Sequence, residues 1–292
     1  MIRQIATQIA DYLLGPLVRQ SGGLGVSGVE QRALSIAYRQ LFGSKGPALK
    51  FKDVDFRIYS QNEEDGILLY IFSLIGTTNK QCVEICAGDG IECNTANLLI
   101  NHRWVGLLCD GNERNTAEAA KFYKKHPDTM YWPPTILTEW ITKDNVNGII
   151  DKGGFAGEVD LLSLDIDGND YWVWKEISKI SPRVVVLEFN HLWGPDVAVT
   201  VPYHENFVAE FTEFGSVYAG ASLQAFVKLA EQKGYTLIGT NAIATNAFFL
   251  RDDIQCEWLP KVDPSVCFDH PRARFGMSTC LPLVKDREWV TV

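Results

Sequence analysis

The sequence lacks any apolar run that approaches the ~20 residues of a membrane-spanning helix. It is also short of basic side chains, since 27 Lys and Arg stand against 36 Asp and Glu, for a net charge of −9. Nucleic acids and anionic membranes attract basic surfaces, so we expect neither as a partner. Gln4, Thr7, Gln8 and Asp11 interrupt the apolar N-terminus, and a signal peptide is therefore not expected.

Cysteine is present in seven copies, but no CxxC pair occurs among them. The odd number and the spacing favour reduced thiols over a disulfide framework or a zinc site. Reduced thiols are typical of a cytoplasmic protein. With 46% hydrophobic and 22% charged residues, the chain should form a packed globular core.

Residues 1–50 carry two helical patterns, over about 3–14 and 28–42, joined by the glycine-rich "SGGLGVSG". That segment lacks the Lys-Ser/Thr of a phosphate-binding loop and follows no strand, so it is predicted to be a flexible linker. We predict a helical extension over residues 1–50, which mediates homo-oligomerisation or covers a cleft. The main domain is predicted over residues 51–292.

From about residue 60, strand-like and helix-like segments alternate. Five apolar strands are followed by two more candidates, "YTLIGT" and "NAFFLRD". This order predicts an α/β fold with a Rossmann-like, seven-stranded, mostly parallel sheet and helices on both faces. In such sheets the ligand lies beyond the carboxyl ends of the strands, so the polar residues at those ends are the site candidates.

The ends of the first two strands resemble a nucleoside-binding site. Gly88 and Gly90 follow the first strand, and Asp110 ends the second, 22 residues beyond Gly88. An acidic residue at this spacing accepts hydrogen bonds from ribose hydroxyls. Gly90 does not continue into a full G-x-G-x-x-G, so the turn that binds a diphosphate is missing. S-adenosylmethionine (SAM), which has ribose and adenine but no phosphate, is favoured over NAD, and an ordinary strand–helix turn is the alternative.

The segments "SQNEEDGIL", "EICAGDGIECNT", "GLLCDGN", "LSLDIDGNDYWVW" and "VVLEFN" carry a more specific likeness. Together they resemble class I SAM-dependent methyltransferases and, more narrowly, bacterial FkbM-type methyltransferases, over about residues 58–252. FkbM-type members often carry D-x-E-G where this chain has "DIDG". The resemblance implies transfer of a methyl group from SAM to a hydroxyl of a small molecule or glycan, such as a natural product or polysaccharide sugar.

The resemblance also implies roles for the residues that bind SAM. Gly88 and Gly90 would line its methionine part, and Glu84 would order their loop. Asp110 would hold the ribose, with help from Asn112.

Further SAM contacts follow from the same resemblance. Three residues after the third strand would flank the adenine: Glu139, Trp140 and Ile141. Gln61 and Asp65 could reach the amino or carboxylate group of SAM, or could instead cap a helix.

The stretch "SLDIDGND" partly matches a calcium-binding EF-hand loop. Asp165, Asp167 and Asn169 fall at loop positions 1, 3 and 5, and Glu176 falls at position 12. Position 6 holds Asp170 instead of glycine, and a strand precedes the loop where an EF-hand needs a helix. The calcium-loop interpretation is therefore rejected, and Asp170 is expected to cap the following helix.

A metal site assembled from two strands is the preferred hypothesis for these carboxylates. Asp165 ends the fourth strand, while Glu188 and Asn190 end the fifth, and neighbouring strands lie ~4.8 Å apart. Oxygen ligands of this kind suit Mg²⁺, Mn²⁺ or Ca²⁺, with Asp167 as a fourth ligand. Some class I O-methyltransferases, of the catechol and macrolide-sugar types, have metal ligands at the ends of these two strands, so the resemblance implies a similar site here. The alternative is that Asp165 binds SAM or caps the next helix without a metal.

The catalytic and acceptor residues are predicted after the fifth strand. His191 and Asp165 are the catalytic candidates. His191 follows Asn190 directly and could act as general base, or could be an ordinary surface histidine. Residues 191–220 are long for a connection and are predicted to form an acceptor-binding loop or lid. Its candidate acceptor contacts are Trp193, Tyr203, His204 and Tyr218, with ordinary packing as the alternative. A nucleotide-dependent oxidoreductase of the NAD(P) type and a non-catalytic scaffold are the competing functions.

Overall fold

The computed structural model describes residues 28–292. The predicted helix over 3–14 and nearly all of the glycine-rich linker lie outside these residues. The strands are β1 (Gln81–Ile85), β2 (Val105–Asp110), β3 (Thr135–Thr138), β4 (Gly157–Leu164), β5 (Ile180–Glu188), β6 (Val199–Thr200), β7 (Glu210–Thr212), β8 (Gly215–Tyr218), β9 (Tyr235–Thr240), β10 (Asn246–Arg251) and β11 (Val290–Thr291).

Seven of these strands form one sheet in the order β3-β2-β1-β4-β5-β10-β9. The pairs among β1–β5 are parallel, and β10 runs antiparallel to both of its neighbours. The predicted Rossmann-like, seven-stranded, mostly parallel sheet is confirmed. The strand order reverses between β1 and β4, so a ligand crevice opens beyond their carboxyl ends.

Helices cover both faces of the sheet, as predicted. They are α1 (Gly28–Gly43), α2 (Glu64–Ile75), α3 (Ala96–His102), α4 (Glu113–Lys125), α5 (Val146–Lys152), α6 (Asp170–Glu176), α7 (Leu223–Lys233), α8 (Pro271–Phe275) and α9 (Leu281–Val284). Side chains alternate along each strand, so Leu107 packs with α5–α7 and Leu108 packs with α1–α4. Each face thereby has its own apolar core.

Helix α1 corresponds to the second predicted N-terminal helix and packs on the sheet domain. The side chains of Gln31 and Asn97 exchange hydrogen bonds of 3.2 and 2.9 Å. The rings of Tyr38 and Tyr70 meet edge to face at 5.1 Å. Within residues 28–292, no helix is long and apolar enough to cross a bilayer. A role of the N-terminal helices in oligomerisation stays a prediction.

The segment 191–220 is more ordered than a plain loop. It contains a 3₁₀ turn (His191–Trp193), strand β6 paired with β11, and the β7–β8 hairpin. Its apolar side chains pack with the C-terminal helices in a third, small core: Leu192, Val201, Val217, Tyr218, Cys280 and Val284. The chain after β5 and the C-terminal 20 residues therefore build one cap beside the crevice.

Candidate active site

The turn after β1 needs glycine at the positions predicted from the sequence. Gly88 and Gly90 have φ values of +56° and +65°, which L side chains rarely adopt. A Cβ on Gly90 would also lie 2.9 Å from the Ala119 Cβ. The Gly90 carbonyl accepts a 2.6 Å hydrogen bond from the buried Tyr123 hydroxyl, which fixes the turn against α4.

Glu84 orders the same loop, as expected. Its Oε1 accepts the Asn94 N–H at 2.9 Å, and its Oε2 accepts the N–H and the hydroxyl of Thr95. These donors lie at the start of α3, where a dinucleotide-binding fold would receive the diphosphate. A buried carboxylate therefore already occupies the position that a diphosphate would need.

Asp110 joins the loops after β1 and β2. Its Oδ2 accepts the Gly88 N–H at 3.0 Å, and its Oδ1 accepts the Asn112 N–H at 2.8 Å and the Asn115 amide at 3.2 Å. A carboxylate has about four acceptor positions, so Oδ2 can also accept a ribose hydroxyl. The prediction that Asn112 helps to hold the ribose is wrong. Its side chain caps α4 by accepting the Arg114 N–H.

The three predicted adenine contacts lie in different surroundings. The ring of Trp140 packs over Gly111, where an added Cβ would lie 3.0 Å away, and its Nε1 donates to the Glu205 carbonyl at 2.7 Å. Trp140 therefore packs on the residue that follows Asp110 and is not among the residues that line the crevice. Ile141 is buried in the core, and Glu139 makes an ion pair with the exposed Lys152 instead of facing the crevice.

Asp65 has a structural task that is neither the SAM contact nor the helix cap considered from the sequence, because it binds N–H groups of the segment before α2. Its Oδ2 accepts the N–H groups of Ile58, Tyr59 and Ser60 at 2.6–2.9 Å, directly before α2. Burial raises the pKa of Asp65 to about 6, although these bonds act in the opposite direction. Gln61 does line the crevice.

Three carboxylates converge beyond β4 and β5. Oxygens of Asp165, Asp167 and Glu188 all lie within 4.8 Å of one another. Leu164 and Leu187 are register partners, so Asp165 and Glu188 follow at matching positions on adjacent strands. Asp167 turns back toward them with a φ of +52°. The predicted convergence of these strand ends is confirmed.

Asp170 holds the shape of this loop from the other side. It was expected to cap the helix ahead, but its Oδ1 accepts the Ile166 N–H at 2.8 Å and its Oδ2 accepts the Gly168 N–H at 2.9 Å. Asn169 occupies the N-cap position of α6 instead. The carboxylate of Asp170 therefore accepts N–H groups of residues that precede it, and it fixes the segment that carries Asp165 and Asp167.

The cluster is electrostatically uncompensated. Within residues 28–292, none of the three carboxylates has a basic side chain within ion-pair distance. Burial, followed by repulsion from Asp170 and Asp167, raises the pKa of Asp165 to about 7. Burial and Asp165 raise the pKa of Glu188 well above its ordinary value. Three converging carboxylate oxygens are the donor set of a hard divalent cation, so these residues fit such an ion.

Asn190, predicted as a ligand, is committed to the protein. Its Oδ1 accepts the Leu192 N–H at 3.0 Å, and its Nδ2 donates to the carbonyls of Val217 and Ala219. These bonds tie the end of β5 to strand β8. Asn190 therefore positions the cap and is not expected to ligate a metal.

His191 lines the crevice and is held tightly. Burial, with help from the charge of Arg272, lowers the pKa of His191 to about 4, so the imidazole is neutral at physiological pH. A Cβ on Gly276 would lie 2.5 Å from Nε2, so the ring packs directly on that glycine. A neutral, fixed imidazole can accept a proton, although its low pKa makes it a weak base.

The residues predicted to contact the acceptor instead make contacts within the protein. Trp193 packs edge to face on Trp289 at 5.1 Å, and Tyr218 donates its hydroxyl to the Glu288 carbonyl at 2.6 Å. Tyr203 lies under the Lys143 ammonium at 4.4 Å.

His204 is exposed, and its Nδ1 accepts the Asn206 N–H. Ordinary packing, the alternative considered for these four residues, therefore describes them better than contact with an acceptor.

The crevice has a volume of about 540 Å³. Its walls are Gln61, Asn62, Cys86, Gly88, Asp110, Asp165, Asp167, Glu188, Phe189, Asn190, His191, Phe211, Ala219, Gly220, Ile243, Thr245 and Arg272. Sequence reasoning missed Phe211 and Arg272. Phe211 could have been found as one more aromatic residue of the segment 191–220. No sequence signal indicates that Arg272 lines the same crevice as the end of β5.

Scans against models of protein families and a search of curated proteins found no match. Among solved structures, a SAM-dependent methyltransferase from Clostridium acetobutylicum is similar at 11% identity and a TM-score of 0.42, covering 75% of this chain and 98% of that one. The glycopeptide N-methyltransferase MtfA, complexed with SAM, gives 9% identity and a TM-score of 0.40, covering 65% and 94%. These scores are low, so the assignment of the fold rests on strand order and register.

Proposed function

We propose that this protein is a SAM-dependent methyltransferase that methylates a hydroxyl of a small molecule or glycan with the help of a divalent cation. One observation carries the proposal. The carboxylate cluster of Asp165, Asp167 and Glu188 lines the same crevice as Gly88 and Asp110. A nucleoside-binding edge and a cation-binding edge therefore face each other across one cavity.

The cofactor half of the proposal assigns SAM to the β1 and β2 side. Gly88 allows close approach of the backbone, and Asp110 accepts the ribose hydroxyls. Gln61, which lies in the turn before α2, also lines the crevice. Bound there, SAM supplies an electrophilic methyl group on its sulfonium.

The metal half assigns a divalent cation, Mg²⁺ in the first instance, to Asp165, Asp167 and Glu188. A cation held there lowers the pKa of a coordinated hydroxyl. The three carboxylates also orient that hydroxyl relative to the cofactor side, which reduces the entropic cost of reaction. His191, neutral and adjacent to the cluster, is placed to accept the hydroxyl proton.

The competing functions are weaker for physical reasons. An NAD-type diphosphate would approach the start of α3, where the carboxylate of Glu84 already accepts the free N–H groups. The added negative charge would repel it. A non-catalytic scaffold has no need for three converging acids whose pKa values are raised, chiefly by burial, since such a cluster costs stability.

Calorimetric titration tests the cofactor assignment. We expect SAM to bind and NADH not to bind. Asp110→Asn should weaken SAM binding about tenfold or more, because it removes a charge-assisted acceptor. Asp144→Asn, an exposed acid outside the crevice, is the matched control and should leave SAM affinity unchanged. Absence of SAM binding at millimolar concentration would refute the proposal.

A further inference from the structure

Arg272 is a basic side chain on the wall of a crevice that otherwise carries acids. It is the second residue of α8 and lines the crevice together with Glu188 and His191. The three carboxylates of the cluster lie on the floor, at the strand ends. Arg272 reaches the crevice from the C-terminal cap, so two oppositely charged surfaces border the space where an acceptor would sit.

The guanidinium of Arg272 is almost without protein partners. Its Nη1 donates one long hydrogen bond, 3.4 Å, to the Ile243 carbonyl. No carboxylate of residues 28–292 lies within ion-pair distance of it, and its remaining donors have no partner there. Two less exposed arginines differ, since Arg183 and Arg251 each bond a carboxylate at 2.8 Å or less, whereas Arg272 is exposed to the crevice. A planar fork of donors is thus left available to a ligand.

The side chain of Arg272 is exposed on the crevice wall, and its charge is held although the crevice removes part of its hydration. Burial lowers the pKa of Arg272, and attraction to Glu188 acts against that shift without forming a contact. A cation on the cluster would neutralise most of the negative charge near Glu188. The ionised cluster (−3) and the cation (+2) would leave one negative charge, which offsets Arg272 only at a distance, so the donors of the guanidinium remain open to a ligand.

The same wall has an apolar side. Phe211 lines the crevice from the β7–β8 hairpin with 65% of its surface exposed. Phe214 and Phe275 meet edge to face at 5.4 Å, and Phe275 lies on the same helix as Arg272. A ring-shaped body can therefore pack on Phe211 while an anionic group reaches Arg272.

We propose that the acceptor is an acid: a hydroxyl compound whose carboxylate or phosphate group pairs with Arg272 while its hydroxyl faces the carboxylate cluster. This inference rests on the proposed methyltransferase function. Arginine forms two parallel hydrogen bonds with such oxyanions, which neither lysine nor a neutral amide reproduces. Arg272 would thus determine specificity without touching the transferred methyl group.

The test uses the full chain loaded with S-adenosylhomocysteine (SAH) and Mg²⁺, titrated with matched probes. The pairs are D-glucuronate and D-glucose, glycerol 3-phosphate and glycerol, and 3,4-dihydroxybenzoate and its methyl ester. We expect at least one acid to bind about tenfold or more tightly than its neutral partner. Arg272→Gln should abolish that preference, and Arg272→Lys should retain part of it.

Arg274→Gln is the control, because Arg274 lies on the same helix but does not line the crevice. It should preserve the preference, and all three variants should bind SAH as the wild type does. The inference is overturned if SAH binds but no acid is preferred, or if the preference survives in Arg272→Gln. A change in Mg²⁺ affinity alone would also overturn it, since Arg272 would then only balance the cluster. Loss of SAH binding in the wild type would instead refute the proposed function itself.

Discussion

The amino and carboxyl ends of the β4–β5 strand pair differ in how their charged side chains are compensated. Near the amino ends, Asp160 faces Arg183, and the two side chains bond at 2.8 Å with almost no exposure. At the carboxyl ends, five residues further along each strand, Asp165 faces Glu188. The same register therefore places an acid opposite a base at one end and an acid opposite an acid at the other.

The surroundings reinforce the difference. Asp160 also accepts the N–H groups of Thr78, Asn79 and Lys80, at 2.7–3.1 Å. Burial alone would raise its pKa, but the bonds from Arg183 and the backbone outweigh burial and lower it. Within residues 28–292, the Asp165 carboxylate accepts no hydrogen bond from a backbone N–H or a basic side chain, and its pKa rises to about 7.

The comparison separates stability from function within one strand pair. The amino end is satisfied by protein groups alone and fixes the approach to β1. The carboxyl end concentrates like charges that only an external cation or proton can balance. Such an arrangement costs stability and is typical of a functional site.

The largest expected effect is at the satisfied end. Asp160→Ala leaves the buried guanidinium of Arg183 and three backbone N–H groups without their acceptor. We expect a loss of about 3–5 kcal/mol in the free energy of unfolding, measured by urea denaturation. Asp253→Ala removes an exposed partner of Arg251 and should cost at most about 1 kcal/mol. Equal losses in the two variants would remove the distinction between the buried pair and a surface pair.

The next effect is at the uncompensated end and depends on metal. Saturating Mg²⁺, at about 100 times its Kd, should stabilise the wild type by about 2.7 kcal/mol. Asp165→Asn and Glu188→Gln should lose most of this gain, because each removes a ligand. Thermal unfolding with Mg²⁺ and with EDTA measures it, with Asp144→Asn as control. A wild type that gains no stability from Mg²⁺, Mn²⁺ or Ca²⁺ would contradict the metal assignment.

A smaller effect concerns the packing of Gly276 against His191. Gly276→Ala places a methyl group 2.5 Å from His191 Nε2, so the ring must move. We expect a loss of about 1–3 kcal/mol in stability and a rise in the His191 pKa from about 4, observed by NMR titration. Gly148→Ala, on α5 with no atom within 4 Å, should do neither. An unchanged His191 pKa in Gly276→Ala would show that the ring tolerates the methyl group.

The smallest effect is the pH dependence of the metal-free protein. Asp165 has a folded pKa near 7 and an ordinary unfolded pKa, so the folded state binds more protons between these values. Its contribution to stability is full below about pH 4 and is lost as pH rises through 7. In EDTA, the wild type should fall below Asp165→Asn in melting temperature by a few degrees at pH 8 and approach it at pH 4. A difference that does not vary with pH would show that Asp165 titrates normally in the fold.

Much of the site was predictable because strand ends are marked in the sequence. Apolar runs that end in Gly88, Asp110, Asp165 and Glu188 predict where the sheet edge lies, and parallel pairing then brings them together. Four of the predictions that were wrong concern Asp65, Asn112, Asn190 and Asp170. In each case the side chain satisfies nearby backbone N–H or carbonyl groups, and sequence spacing does not reveal which groups are left unpaired.

The sequence by itself determined the alternation of strands and helices, the glycines of the β1 turn and the acids at the strand ends, because these follow from local periodicity and backbone sterics. Only the tertiary structure decided which acids are compensated. Asp160 and Asp165 are alike in sequence, but one meets Arg183 and the other meets Glu188. The cap that brings Arg272 and Phe211 to the crevice was likewise settled by packing between distant segments, since no local pattern encodes the position of α8 beside the crevice.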